Sequence, residues 1–187
     1  QLQRRAQADR AALQVKDHMI VVMKQRLQAA AQAGLLIANG GTVYDAQIVD
    51  KIIAPNGSIV LEKEPVIANQ ITADDSYFAA IRKGMEDVTS LEDGGTAGRY
   101  FKGIDYIAAK TGTSQKQDKY DENGERSFRV GSCVAYAPAD DAKIAALIMV
   151  DEPMNGSVYG SIVAAPYVSN FLEVVLPYMG VEAKYTE

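Results

Sequence analysis

The 187-residue sequence has little of what most catalytic chemistry leans on. It has one cysteine, Cys133, so no disulfide can close within the chain. Cys133 lies among small residues in a strand-like stretch, where a free thiol acts as a small apolar group rather than a nucleophile. It has one histidine, His18, which excludes a His-rich metal centre and argues against a His-based triad. No apolar run approaches the ~18 residues of a membrane span, and nothing at the start reads as a signal peptide. An export signal or anchor would lie outside these residues. Excess positive charge is also missing. The formal net charge is −5, which gives a nucleic-acid partner no support.

What is present suits one domain with a real core: 48% hydrophobic and 23% charged residues. Residues 1–28 carry six Lys/Arg against two Asp, the pattern of a solvated helix face. The spacing predicts a long helix over residues 1–38, with Leu13, Ile20 and Leu27 recurring every seven residues. Asn39-Gly40-Gly41 stops it, since both residue types tolerate positive φ. Thr42–Ile53 and Ser58–Leu61 read as a hairpin turned by Pro55-Asn56-Gly57, and Glu62–Gln70 as a connector. Thr72 is expected to cap a helix running to about Ser90, buried along Phe78, Ile81, Met85 and Val88. The glycine-rich stretch Asp93–Gly98 suggests a phosphate cradle. However, no helix begins after it and no Lys follows where one is needed.

Three strands are expected over Ile104–Thr113, Phe128–Ala137 and Lys143–Val150. Hairpin-length links make them an antiparallel meander, and the last reads as buried on both faces. Gly131, Cys133, Ala135 and Ala137 give the middle strand one small face that a helix can approach closely. Asp151–Gly160 reads as a loop. A final helix starts near Pro166 and stops at Gly180, with Phe171, Val174, Val175 and Tyr178 on its buried side. The class is α+β, an antiparallel sheet flanked by helices, with no internal repeat.

The polar stretch that stands out is Lys110-Thr111-Gly112-Thr113, after the apolar run Tyr106-Ile107-Ala108-Ala109 and before a charged loop. In a strand, Lys110 and Gly112 share one face and Thr111 and Thr113 the other. A cation with empty space beside it and two hydroxyls suits a carboxylate ligand. If the strand is an edge, its backbone can hold an extended peptide, and an N–H there can serve an oxyanion. The tetrapeptide alone also fits a surface Lys before a Thr-rich turn. A phosphate-loop reading needs Gly where Ala109 and Ile104 stand.

Lys110–Thr113 resembles the third signature of penicillin-binding proteins and serine β-lactamases. Ile37–Gly41, Gly84–Val88, Gly94–Ala97, Tyr136–Asp141, Asp151–Pro153 and Tyr159–Pro166 resemble further stretches of penicillin-binding transpeptidases, in family order. The resemblance covers roughly residues 35–180. It is closest to the class B, cell-wall-synthesising kind used in division or sporulation.

The resemblance implies serine acyl transfer on the D-Ala-D-Ala end of a peptidoglycan stem peptide, and reaction with β-lactams. No cofactor and no metal are implied. The parent protein is expected to be membrane-anchored, on the extracytoplasmic face of a bacterial membrane. Lys110 is expected to orient and polarise, Thr111 and Thr113 to bind carboxylate, the Thr113 N–H to face the oxyanion, and Gly112 to keep the cleft open. The family's other two motifs do not occur. None of the serines has Lys three residues on or Asn two residues on. The expected division is therefore a partly non-matching helix over 1–38 and the C-terminal part of a transpeptidase domain over 39–187, inactive alone and prone to self-association. A β-lactamase or β-lactam sensor of the same superfamily, and a non-catalytic scaffold with this fold, are the alternative readings.

Overall fold

The computed structural model describes residues 34–181, apart from residues 46, 103–105, 118 and 155. Most of the helix expected over 1–38 therefore lies outside the described residues, as does Ile104. What is described of that helix, α1 (residues 34–38), ends as its sequence requires. Gly41 N donates to Leu36 O (2.7 Å) and Gly40 N to Ile37 O (3.3 Å), with φ of +102° and +60°. This reciprocal pair uses up the last carbonyls of the helix and favours residues without a Cβ.

The next segment differs from the expected hairpin. β1 (Thr42–Tyr44) pairs antiparallel with β4 (Ile67–Gln70), and β2 (Lys51–Ile53) with β3 (Ile59–Glu62). The expected strand over Thr42–Ile53 is thus two strands in two small sheets, and the expected connector contains β4. The chain leaves the first ladder after Asp45 N bonds Val66 O and joins the second where Lys63 N bonds Asp50 O. β-branched composition reports fit to a pleated surface and does not say which strand will be the partner. The Pro55-Asn56-Gly57 turn is as expected, with Gly57 at φ +84°.

α2 (Asp75–Asp87) is capped by Asp74, whose carboxylate accepts from Ser76 N at 2.9 Å, not by Thr72. Its buried residues are Phe78 and Met85, with Thr89 just beyond its end, while Ile81 faces solvent. The inward stripe runs 78, 82, 85, 89, so the half-buried Arg82 takes the place expected for Ile81. The glycine-rich loop after α2 is packing, not a cradle. A Cβ on Gly95 or Gly98 would overlap the backbone of residues 87–91. Four of the loop's N–H groups are also spent on carbonyls, Gly94 N on Leu91 O, Gly95 N on Ser90 O, Ala97 N on Val88 O and Gly98 N on Gly95 O.

β5 (Ala108–Gln115), β6 (Arg129–Ala137) and β7 (Ile144–Asp151) form the expected antiparallel meander in the order β5-β6-β7. Among the described residues β7 is a sheet edge, and Ile144–Val150 are half-buried throughout and not enclosed on both faces. The small face of β6 receives α3 (Gly160–Val163), a short helix between the expected loop and the expected last helix, and then α4 (Ala165–Tyr178). α4 turns Val168, Leu172 and Leu176 to the sheet, while Phe171, Val174 and Tyr178 are exposed. This is the reverse of the expected side, of which only Val175 is half-buried. α4 is apolar nearly all round, so periodicity alone could not choose between its stripes. The choice goes to the side where the small Ala164 and Ala165 let the helix join Ala135 and Cys133 in one buried core, and where Ser169 can bond Tyr100 O. Contrary to the expectation of no such run, Gly160–Tyr178 is long and apolar enough to cross a membrane, but its buried stripe is part of the main core. The opposite sheet face packs Ala108 and Tyr136 against Met85, Ile37 and Ala38.

Candidate functional site

The site expected from sequence lies at the end of β5, an edge strand among the described residues. Two anchors position it. Thr89, just past α2, donates its hydroxyl to Ile107 O at 2.7 Å and fixes the approach to β5. The ladder to β6 then runs without a bulge from Ala108↔Tyr136 to Gln115↔Arg129. One bond beyond that register sets its phase, because Lys116 N donates to Phe128 O at 3.0 Å. Antiparallel residues alternate between bonding the partner and facing away from it. Counting back, Ser114, Gly112 and Lys110 bond β6. Thr113 and Thr111 turn their N–H and C=O to the open edge. The other side of β6 agrees, since Arg129 O accepts from Glu152 N beside β7.

Lys110 projects from the face it shares with Gly112 and bends to the edge, where Nζ donates to Thr111 O at 2.6 Å. Its ammonium is exposed. Gly112 lies opposite Ser132, and a Cβ on it would come within 2.7 Å of Ser132 Oγ. The Gly therefore keeps this face clear beside the cation. Thr111 and Thr113 project from the other face, and each hydroxyl already has one neighbour. Thr111 Oγ1 lies 3.1 Å from Thr96 Oγ1, and Thr113 Oγ1 accepts from Gly160 N at 3.1 Å. The structure thus brings the ammonium of Lys110 and the outward N–H groups of Thr111 and Thr113 to one open strip, flanked by the two hydroxyls.

Sequence reasoning assigned no site role to Thr96, Gly160 or Lys116. Gly160 sits so close to the β5–β6 backbone that a Cβ would overlap Gly112 O and Ser132 O. Lys116 leaves β5 and binds Asp151 (2.8 Å) and Glu152 (2.6 Å), and Glu152 also binds Lys119 (2.5 Å). Glu152 is the one described non-glycine residue with positive φ, at +50°. The hydrogen bond from Lys116, then that from Lys119, hold its carboxyl below the usual range. Cys133, paired with Thr111, is wholly buried, and burial pushes its thiol up to about 12 against the nearby Lys110 charge. It is not a nucleophile at neutral pH.

This arrangement falls within a known family. Residues 27–173 match the family model described as "Penicillin binding protein transpeptidase domain". The chain belongs to the penicillin-binding protein transpeptidase domain family. It is 32% identical over 148 residues to stage V sporulation protein D of Bacillus subtilis, a match covering 78% of this chain and 22% of that protein. It is 29% identical over 132 residues to penicillin-binding protein 2B of Streptococcus pneumoniae, covering 67% of this chain and 19% of that one. The chain thus spans about a fifth of the length of these two transpeptidase-family relatives. Among solved structures, the D,D-transpeptidase domain of a peptidoglycan glycosyltransferase from Eggerthella lenta superposes with a TM-score of 0.62 at 24% identity, over 81% of this chain and 32% of that one. The shared fold is that of a penicillin-binding transpeptidase domain, in agreement with the α+β class read from sequence.

Proposed function

We propose that this chain supplies the substrate-carboxylate and oxyanion wall of a peptidoglycan D,D-transpeptidase. The observation that carries the reading is the open edge of β5, where Lys110 Nζ bonds Thr111 O and the N–H of Thr113 turns outward. An extended stem peptide lies along this edge as an added strand. Lys110 orients and polarises the reacting end, and Thr111 and Thr113 hold the terminal carboxylate. The bond from Gly160 N leaves the Thr113 proton free to donate to that carboxylate. The Thr113 N–H faces the oxyanion of the tetrahedral intermediate. β-Lactams carry the same carboxylate and carbonyl, and bind in the same place.

Covalent chemistry needs an attacking serine, and no serine in the sequence has the Ser-x-x-Lys or Ser-x-Asn context. In our reading that serine comes from outside these residues, and the chain alone is not acylated. The whole protein acts in cell-wall synthesis at the extracytoplasmic face of a membrane to which it is anchored. Its setting is division or sporulation, and the name of stage V sporulation protein D favours the second.

The test is a titration of the chain with a short peptide ending in D-Ala-D-Ala and with the C-terminal amide of that peptide, following the Thr111 and Thr113 amide resonances. The carboxylate is expected to bind more tightly, and Lys110→Ala to weaken it by about tenfold, the scale of one charge-assisted hydrogen bond. Equal response to acid and amide would overturn the site. Intact mass after incubation with benzylpenicillin is expected to be unchanged. A covalent adduct would sink the claim that the chain lacks its own nucleophile.

A further inference from the structure

We propose that Thr96 is a positioning residue for this edge. It donates its hydroxyl proton to Thr111, so that Thr111 donates outward to the ligand carboxylate. The inference rests on the reading of the edge as a carboxylate site.

Thr96 Oγ1 and Thr111 Oγ1 are 3.1 Å apart, and neither hydroxyl has another hydrogen bond among the described residues. The two threonines come from different elements, the loop after α2 and strand β5. The loop offers Thr96 no slack. Gly95 N is bonded to Ser90 O at 2.8 Å and Ala97 N to Val88 O at 3.0 Å, and the Ala97 side chain is fully buried. Gly95 and Gly98 are pressed onto the backbone beneath, where a Cβ on either would clash. Thr96 itself is exposed. A rigid loop therefore presents one solvent-facing hydroxyl directly to the edge strand.

The direction of the bond decides what Thr111 can do. A hydroxyl has one proton and two lone pairs. If Thr111 donates to Thr96, it offers an incoming carboxylate only lone pairs, and the two repel. If Thr96 donates to Thr111, the Thr111 proton is free to point outward and is polarised by the bond behind it. A carboxylate selects the second arrangement, because hydroxyl protons rotate freely. Thr113 has the same arrangement in irreversible form, since Gly160 N can only donate. The two hydroxyls on this face of β5 are thus each backed by one donor, one fixed and one able to turn. Thr96 acts through Thr111 on the preference for a carboxylate over a neutral group, and need not touch the ligand.

The experiment compares the wild-type chain, Thr96→Val, Thr96→Ser, Thr111→Val and the Thr96→Val/Thr111→Val double variant. Each is titrated with the D-Ala-D-Ala peptide acid and its amide. Valine has the shape of threonine without the hydroxyl, and position 96 is exposed, so the core is untouched; amide-exchange protection of β5 checks this. The acid is expected to bind Thr96→Val about two- to threefold more weakly, the loss of the polarising and orienting bond behind the Thr111 proton, with the amide unaffected. Thr96→Ser should bind as wild type does. In the double variant the two losses should not add, because the hydroxyls act as one unit. An unchanged acid-to-amide ratio in Thr96→Val, or losses that add in full, overturns the inference. A wild-type chain with no preference for the acid overturns the site reading and the inference together.

Discussion

Gly160 shows how a residue without a side chain can set the geometry of others. Its N–H backs the Thr113 hydroxyl, and its α-carbon lies against the carbonyls of Gly112 and Ser132. Those carbonyls belong to a ladder pair and cannot swing away. Gly160→Ala is therefore expected to destabilise the chain by about 1–3 kcal/mol, as overpacking does. The same variant should weaken peptide-acid binding, because Thr113 moves with α3. Gly84 is the control, on an exposed turn of α2 where an added Cβ would meet nothing within 4 Å. Gly84→Ala should stabilise by about 0.5–1 kcal/mol through helix propensity alone. Urea unfolding of both variants measures this. Equal stability of wild type and Gly160→Ala would show that α3 can lift off the strand.

At the scale of elements, β5 and β7 run in the same direction on either side of β6, and their ends are tied together. Lys116, just past β5, binds Asp151 and Glu152 at the end of β7, and Lys119 adds a second cation. The clamp holds the lip next to Ser114 and Thr113. Its pH dependence follows from its groups. Glu152 is held below its ordinary value of 4.5, so its contribution is complete above that pH and is lost as pH falls through the lowered value. Burial alone would lower Lys116, but its bonds to Asp151 and Glu152 outweigh this and raise it above 10.5. Its share is complete below 10.5 and is lost only at higher pH. Urea midpoints of wild type and Glu152→Gln should therefore differ between pH 5 and 9, on the order of the usual stability plateau, and converge in acid. A constant gap down to acid pH would mean that the Glu152 charge contributes nothing.

The elements also show what could be read from residue order. The meander was legible because Gly, Ala and Cys alternate with larger side chains along β6 and short links join the strands. The Schellman end of α1 was legible from two adjacent glycines. The Lys110–Thr113 stretch was legible as a strand end, while its edge phase was not, since one backbone bond at Lys116 decides it. The buried side of α4 was not legible, because both stripes are apolar and only the shape of the sheet chooses. Nor was β4, whose partner lies far earlier in the chain, at Thr42–Tyr44. Thr96 lay within a stretch that resembles the family, yet its role depends on a contact with another element.

At the scale of the whole molecule, the described surface is uneven in its apolar exposure. Among the described residues β2 and β3 pair only with each other, and every residue in both strands is exposed. Ile53 is 57% exposed and Val60 65%, and Ile52, Ile59 and Leu61 are exposed beside them. A two-stranded hairpin is marginal in water, and it gains from a third strand or a covering face. Its outer edges also offer unpaired backbone groups to another chain. We infer that the isolated chain self-associates through this hairpin, a second copy covering the first. Sedimentation velocity across a micromolar range should show a weight-average mass that rises with concentration. Ile53→Lys with Val60→Lys should return it towards the 20.2 kDa of one chain. The exposed stripe of α4 provides the control, because it is apolar but has no free backbone edge. Val174→Lys there should leave the association unchanged. Loss of association with Val174→Lys and not with the hairpin pair would move the contact to the helix, and a single 20.2 kDa species at every concentration would remove it.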